Sequence, residues 1–93
     1  MNKESDFFKK LKSTLDDTTS FPSEYMYKFI IPSNQEKIQN IENIFNNLGA
    51  VISSKPSKKG KFTSLTIVVV MQSSDQIISK YKEVAQVEGV ISL

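Results

Sequence analysis

The stretch "KPSKKGKFTSLTIVVV", Lys55 to Val70, gathers the residues with the clearest capacity for chemistry. Lys55, Lys58, Lys59 and Lys61 stand around Pro56, Ser57 and Gly60. Four ammonium groups on one tight turn could attract an anion or an acidic partner. The same lysines would also keep a hairpin tip soluble and discourage unwanted edge pairing. The residue type separates these readings. Every basic residue in the chain is Lys and none is Arg. Arg is the residue that grips a phosphate or a base edge with two parallel hydrogen bonds. The cluster is therefore read as mainly a solvated tip with weak anion attraction. Four phosphate contacts would give a salt slope of roughly −3.6, so such binding would fade quickly with salt.

Charge distribution supports that reading. The formal net charge is +2, too small for a dedicated nucleic-acid binder. No acidic residue lies between Glu42 and Asp75, so the positive charge is local to this segment. "KGKFTSLT" superficially resembles an RNA-recognition signature that needs aromatics after the Gly. Lys61, Thr63 and Thr66 occupy those positions. Phe62 sits one place out of register, and one residue moves a side chain to the opposite sheet face.

Catalytic chemistry has few candidates. The chain has no Cys and no His. That excludes disulfides, thiolate nucleophiles and imidazole acid–base steps, and it removes the usual zinc ligands. A Ser nucleophile would need a Lys or carboxylate base, a rare arrangement. Asp16 and Asp17 adjoin "TTS" and are read as cap or turn residues. There is no glycine-rich phosphate loop and no metal-ligand cluster. No catalytic residue, metal or cofactor is expected, and the chain is not expected to be an enzyme.

The elements that must position the lysines are legible along the chain. Within residues 4–17, Phe7, Phe8, Leu11 and Leu15 form one helical stripe. "EYMYKFII", Glu24 to Ile31, is rich in β-formers, and Pro32 ends it. Tyr25, Tyr27, Phe29 and Ile31 share one face; Met26, Lys28 and Ile30 share the other. Ser33 with Glu36 makes a capping box. Ile38, Ile41, Ile44, Phe45 and Leu48 then recur at helical spacing up to Gly49. "AVISSK" is a short strand, Pro56 to Gly60 a turn, and residues 61–71 a long strand. Ser73 with Gln76 repeats the capping box, and Ile77, Ile78, Tyr81, Val84 and Ala85 form an apolar face. "GVISL" closes as a strand.

The order from residue 24 is β-α-β-β-α-β, the ferredoxin-like pattern of an α+β fold. Two right-handed crossovers put both helices on one face of a four-stranded antiparallel sheet. Leu65, Ile67, Val69 and Met71 should meet the helices, with Phe29, Ile41 and Phe45 in the same core. Phe62, Ser64, Thr66, Val68 and Val70 should lie on the open face beside Met26, Lys28 and Ile30. The expected organisation is a helical arm over 1–20 and one ferredoxin-like domain over 21–93. Whether the arm packs on its own domain or on a partner stays open.

Several stretches resemble a known family. They are Phe21-Pro22, Tyr27-Lys28, and "PSKKGKFTSLTI" from Pro56 to Ile67, with Pro56, Ser57, Gly60, Phe62 and Ser64 the matching positions. The chain is similar over about residues 21–93 to the small uncharacterised bacterial family typified by YbeD. The resemblance implies a ferredoxin-like fold, similar to the regulatory ACT domains of amino-acid metabolism, and no established activity. Family members often carry Gly shortly after the Tyr-Lys pair, where this chain has Phe29-Ile30-Ile31-Pro32.

The residues together point to a non-catalytic binding or regulatory module acting by protein contact. The alternative is weak anion or nucleic-acid contact through the basic hairpin. Candidate binding residues are Lys28, Lys55, Ser57, Lys58, Lys59, Gly60 and Lys61. The partner would be an unknown protein, a small ligand, or a second copy on the open sheet face. "MNKESDFFKKLK" has no apolar leader core, and the run Leu65 to Met71 is too short to cross a membrane. A cytoplasmic location is expected.

Overall fold

A computed structural model describes residues 3–93, the side chains from Asp6 onward. Met1 and Asn2, at the head of the stretch read for a leader, lie outside the described residues. The elements are α1 (Lys3–Thr18), β1 (Ser23–Pro32), α2 (Gln35–Phe45), β2 (Val51–Pro56), β3 (Phe62–Met71), α3 (Ser74–Ala85) and β4 (Ile91–Ser92). A single 3₁₀ turn over Asn46–Leu48 follows α2.

The strands form one antiparallel sheet in the order β2-β3-β1-β4. The central ladder pairs β1 with β3 from Ser23↔Met71 to Pro32↔Phe62. β2 pairs the other edge of β3, from Val51↔Val68 to Pro56↔Thr63. This is the ferredoxin-like fold expected from the order of the elements.

Strand alternation sorts the side chains. Tyr27, Phe29, Ile31, Leu65, Ile67, Val69 and Met71 all point to the helical side and are buried. Ile41 and Phe45 of α2 and Ile77 and Val84 of α3 complete that core. The Tyr27 hydroxyl donates to the Ile77 carbonyl at 2.9 Å, and the Tyr25 and Tyr81 hydroxyls lie 2.7 Å apart. Burial pushes the Tyr27 and Tyr81 phenols far above their ordinary range, so both stay neutral structural groups. Among the described residues no buried side-chain polar atom lacks a partner.

Four local expectations are corrected. Asn34, not Ser33, caps α2: its side chain accepts from the Lys37 N–H at 3.1 Å. The Ser33 hydroxyl is engaged with the Thr63 hydroxyl at 2.8 Å. In the second box Ser73 does accept from the Gln76 N–H, but the Gln76 side chain accepts from the N–H of Gln72. Ala85 is exposed rather than on the apolar face. The closing strand covers only Ile91–Ser92, because Gly89 holds φ at 85° and turns the chain first. A Cβ at Gly89 would also stand 3.0 Å from the Pro32 ring.

Helix α1 packs on α3. Leu15 is buried and Leu11 packs against the core, while Phe8 lies near Tyr81. Phe7 is 59% exposed, so it stands at the solvent edge of the expected stripe. A polar clamp fixes the contact. Buried Ser74 donates to an Asp16 carboxylate oxygen and accepts from Lys12 Nζ at 3.2 Å. Lys12 also pairs with Asp16 at 3.3 Å and Asp75 at 3.2 Å. The hydrogen bond from Ser74 holds the Asp16 carboxyl below its usual value, helped by Lys12. Hydrogen bonds to Asp75 and then Asp16 raise the Lys12 ammonium.

Two outcomes follow from this packing. Phe45→Ala empties a fully buried site and should cost about 3–5 kcal/mol, read by chemical denaturation. A midpoint near the parent's would show that Phe45 is not in the core. The second concerns acid. A carboxyl depressed in the folded chain stabilises it above the ordinary carboxylate value and stops doing so as pH falls through its own lower value. The α1–α3 contact should therefore weaken in that acid window, seen as early loss of Leu11 and Leu15 methyl contacts by NMR. Ser74→Ala should return Asp16 toward the ordinary titration range; an unmoved titration curve would contradict the clamp.

Candidate functional site

The hairpin between β2 and β3 is built from its own backbone. Ser57 N–H donates to the Phe62 carbonyl at 2.7 Å, and Gly60 N–H donates to the Ser57 carbonyl at 2.9 Å. Phe62 N–H donates to the Ser57 hydroxyl at 3.2 Å. Gly60 takes φ of 73°, a left-handed conformation that side chains resist. Ser57 and Gly60 thus shape the turn. Lys61 ties it to the body of the domain, its carbonyl accepting from Ser33 N–H at 2.9 Å.

The lysines separate into two groups. Lys58, Lys59 and Lys61 are exposed at the tip, and among the described residues none forms a salt bridge. Lys28 and Lys55 belong to the open sheet face instead. Lys28 stands opposite Thr66, which stands opposite Ser53. Lys55 stands opposite Ser64, then Ile30, then Ile91. A shallow concavity of about 320 Å³ lies at that end of the face, lined by Ile30, Lys55, Pro56, Ser57, Phe62 and Ser64. Its walls are mostly apolar, with one ammonium and two hydroxyls at the margin. The tip lysines Lys58, Lys59 and Lys61 do not line it.

The rest of the face is more apolar than its polar residues suggest. Met26, Val51, Phe62, Val70 and Ile91 are all large, exposed and on this side. Val51 and Ile91 escaped the sequence reading. Each sits in a short segment whose face is settled only by its partner, Val68 for Val51 and Ile30 for Ile91. Among the described residues no helix is long and apolar enough to cross a membrane.

Comparison with known proteins identifies the lineage. Residues 16–93 match the model of a family described as a protein of unknown function, DUF493. A UPF0250 protein of Shewanella woodyi is 31% identical over 83 residues, covering 86% of this chain and 94% of the relative. A UPF0250 protein of Shewanella sediminis is 29% identical over the same lengths. The solved structure of the uncharacterized protein TM1266 from Thermotoga maritima aligns with a TM-score of 0.60. It is 12% identical and covers 76% of this chain and 94% of its own, a likeness of fold. The chain belongs to the DUF493 family, the uncharacterised family that its hairpin and strand motifs resemble.

The hairpin geometry makes a paired prediction. Lys58, Lys59 and Lys61 changed together to Gln should leave stability nearly unchanged, since surface substitutions stay within about 0.5 kcal/mol each. Gly60→Ala should cost about 1 kcal/mol by strain alone, because no atom stands within 4 Å of the new Cβ. Denaturant midpoints check both. A large loss in the lysine variant, or none at Gly60, would show that the tip is held differently.

Proposed function

We propose that this member of the DUF493 family is a non-catalytic binding or regulatory module that works by protein contact through its open sheet face. The observation that carries the reading is the collection of Met26, Val51, Val70, Phe62 and Ile91 on one uncovered side. Isolated exposed apolar residues are ordinary on protein surfaces, but Met26, Val68, Val51 and Val70 adjoin one another, and such a patch marks an interaction surface. The buried Tyr27, Thr63 and Ser74 hydroxyls are spent on structure, and Asp16 and Asp75 serve the α1–α3 clamp.

A photoreactive residue at Met26 or Val51 should give protein adducts in cells, while the same residue at Asn40 or Asn43 on α2 should not. Adducts from neither face, or equally from both, would sink the reading.

A second reading keeps the basic tip as a weak anion or nucleic-acid contact. Its support is the trio Lys58, Lys59 and Lys61, exposed and without acidic partners among the described residues. Binding to single-stranded RNA should then be micromolar or weaker and fall steeply with salt. Nanomolar, sequence-selective binding that vanishes in the triple Gln variant would promote this reading over the first.

A further inference from the structure

Of the five rows of side chains that cross the open face, three span Glu24 to Lys28. Glu24 stands opposite Val70. Next comes Met26 opposite Val68, which is opposite Val51. Then comes Lys28 opposite Thr66, which is opposite Ser53. The middle row is wholly apolar. Its neighbours along β1 carry one negative and one positive charge, spaced two residues either side of Met26. Both charges are exposed, and among the described residues neither forms a salt bridge.

Resting on the reading of this face as a protein contact, we propose that its partner is a second copy of the chain. The two copies pack face to face about a two-fold axis running along the Val51–Val68–Met26 row. A two-fold axis laid across the strands brings each residue over the one equally far on the other side of it. Met26, Val68 and Val51 then meet their own counterparts. Glu24 of each copy lies over Lys28 of the other, and Val70 lies over Thr66.

Two neighbouring placements of an axis across the strands fail on charge. Moved to the Lys28–Thr66–Ser53 row, it stacks Lys28 on Lys28 and leaves Glu24 without a partner. Moved to the Glu24–Val70 row, it stacks Glu24 on Glu24. Like charges brought together while losing water are strongly unfavourable. A different protein would have to bring its own acid for Lys28 and base for Glu24; a second copy brings both in register. Packed sheets tolerate a strand crossing of about 30°, so the twist of the sheet is no obstacle.

Size sets the strength. Strands about 4.8 Å apart, with the matched stretch from Glu24 to Lys28 about 17 Å long, offer an overlap of the order of 250 Å² per copy in projection. The pair buries of the order of 500 Å², small for a specific interface, so the dimer is a weak one. The concavity at Ile30, Lys55 and Phe62 lies beyond Lys28, at the rim, and stays open.

Sedimentation of the purified chain should show a monomer–dimer equilibrium with Kd of about hundreds of micromolar. Glu24→Lys and Lys28→Glu should each weaken it at least about tenfold, and the double exchange should restore it to within about threefold of the parent. Matching melting curves verify that the variants fold. The chain has no Cys, so Met26→Cys introduces a single thiol. A bis-maleimide with a span of about 10 Å, the spacing of packed sheets, should link Met26→Cys into a dimer and leave Ile91→Cys monomeric. A monomer at about 1 mM overturns the proposal. So does a dimer indifferent to the single reversals, or a double exchange as weak as the worse single. A monomeric purified chain that still gives adducts at Met26 to another protein would overturn the second copy while leaving the proposed function standing.

Discussion

A sheet has two faces, and this chain has helices for only one of them. That constraint governs the rest of the structure. A domain of 93 residues buries only about 60–65% of the surface its unfolded chain exposes, so one well-packed layer is what it can sustain. The layer is spent on the helical side of β1 and β3, where Tyr27, Phe29, Ile31, Leu65, Ile67, Val69 and Met71 are sealed under α2 and α3. The opposite residues of the same strands are left to water or to a partner. Strand alternation makes this unavoidable, since every residue that improves the core leaves its neighbour outside.

The two faces were legible because β1 and β3 each carry a marker. Lys28 could not be placed under the helices without burying a charge, and that choice sent Tyr27 and Phe29 inward. The ten-residue ladder then transmitted the decision to β3. What stayed hidden depends on contacts far apart in sequence. Ser33 and Asn34 are both good helix caps. The choice falls to Asn34 because Thr63 captures the Ser33 hydroxyl. The docking of α1 rests on Lys12, Asp16, Ser74 and Asp75, about sixty residues apart, with no local signal in either segment. Phe7 shows the limit of a stripe drawn by eye. Phe7 stands at the edge of the roughly 100° arc that holds Leu11, Leu15 and Phe8, and at that edge it meets solvent.

The site was legible in part for the same reasons. The lysine cluster and its turn were visible as residue types, and Gly60 takes the left-handed conformation that such a turn requires. The division of the lysines was not visible. Lys55 belongs to β2 and faces Ser64 and Ile30 across the sheet, whereas Lys58 and Lys59 lie past the last strand pair. The concavity needs three strands in register at once: Pro56 closing β2, Phe62 opening β3 and Ile30 on β1. No short window of sequence contains that relation.

An apolar face is a hazard unless its pairing is restricted, and one edge of this sheet supplies part of the restriction. Backbone pairing is the usual route by which an exposed sheet recruits a neighbour indiscriminately. On one side the edge strand β2 ends in Lys55 and Pro56. Proline offers no N–H to a new ladder, and a charged end disfavours stacking. On the other side β4 pairs β1 only at Phe29 and Ile30, which leaves the outer edge of β1 from Ser23 to Tyr27 outside any ladder. The face itself carries a further restriction. There Glu24 and Lys28 flank the apolar row with opposite signs, so a partner in the wrong register meets an unmatched charge. In the proposed dimer the polar residues that dilute the patch are the ones that make it selective. The same arrangement explains how a thin domain keeps five large apolar side chains in water without a second layer to cover them.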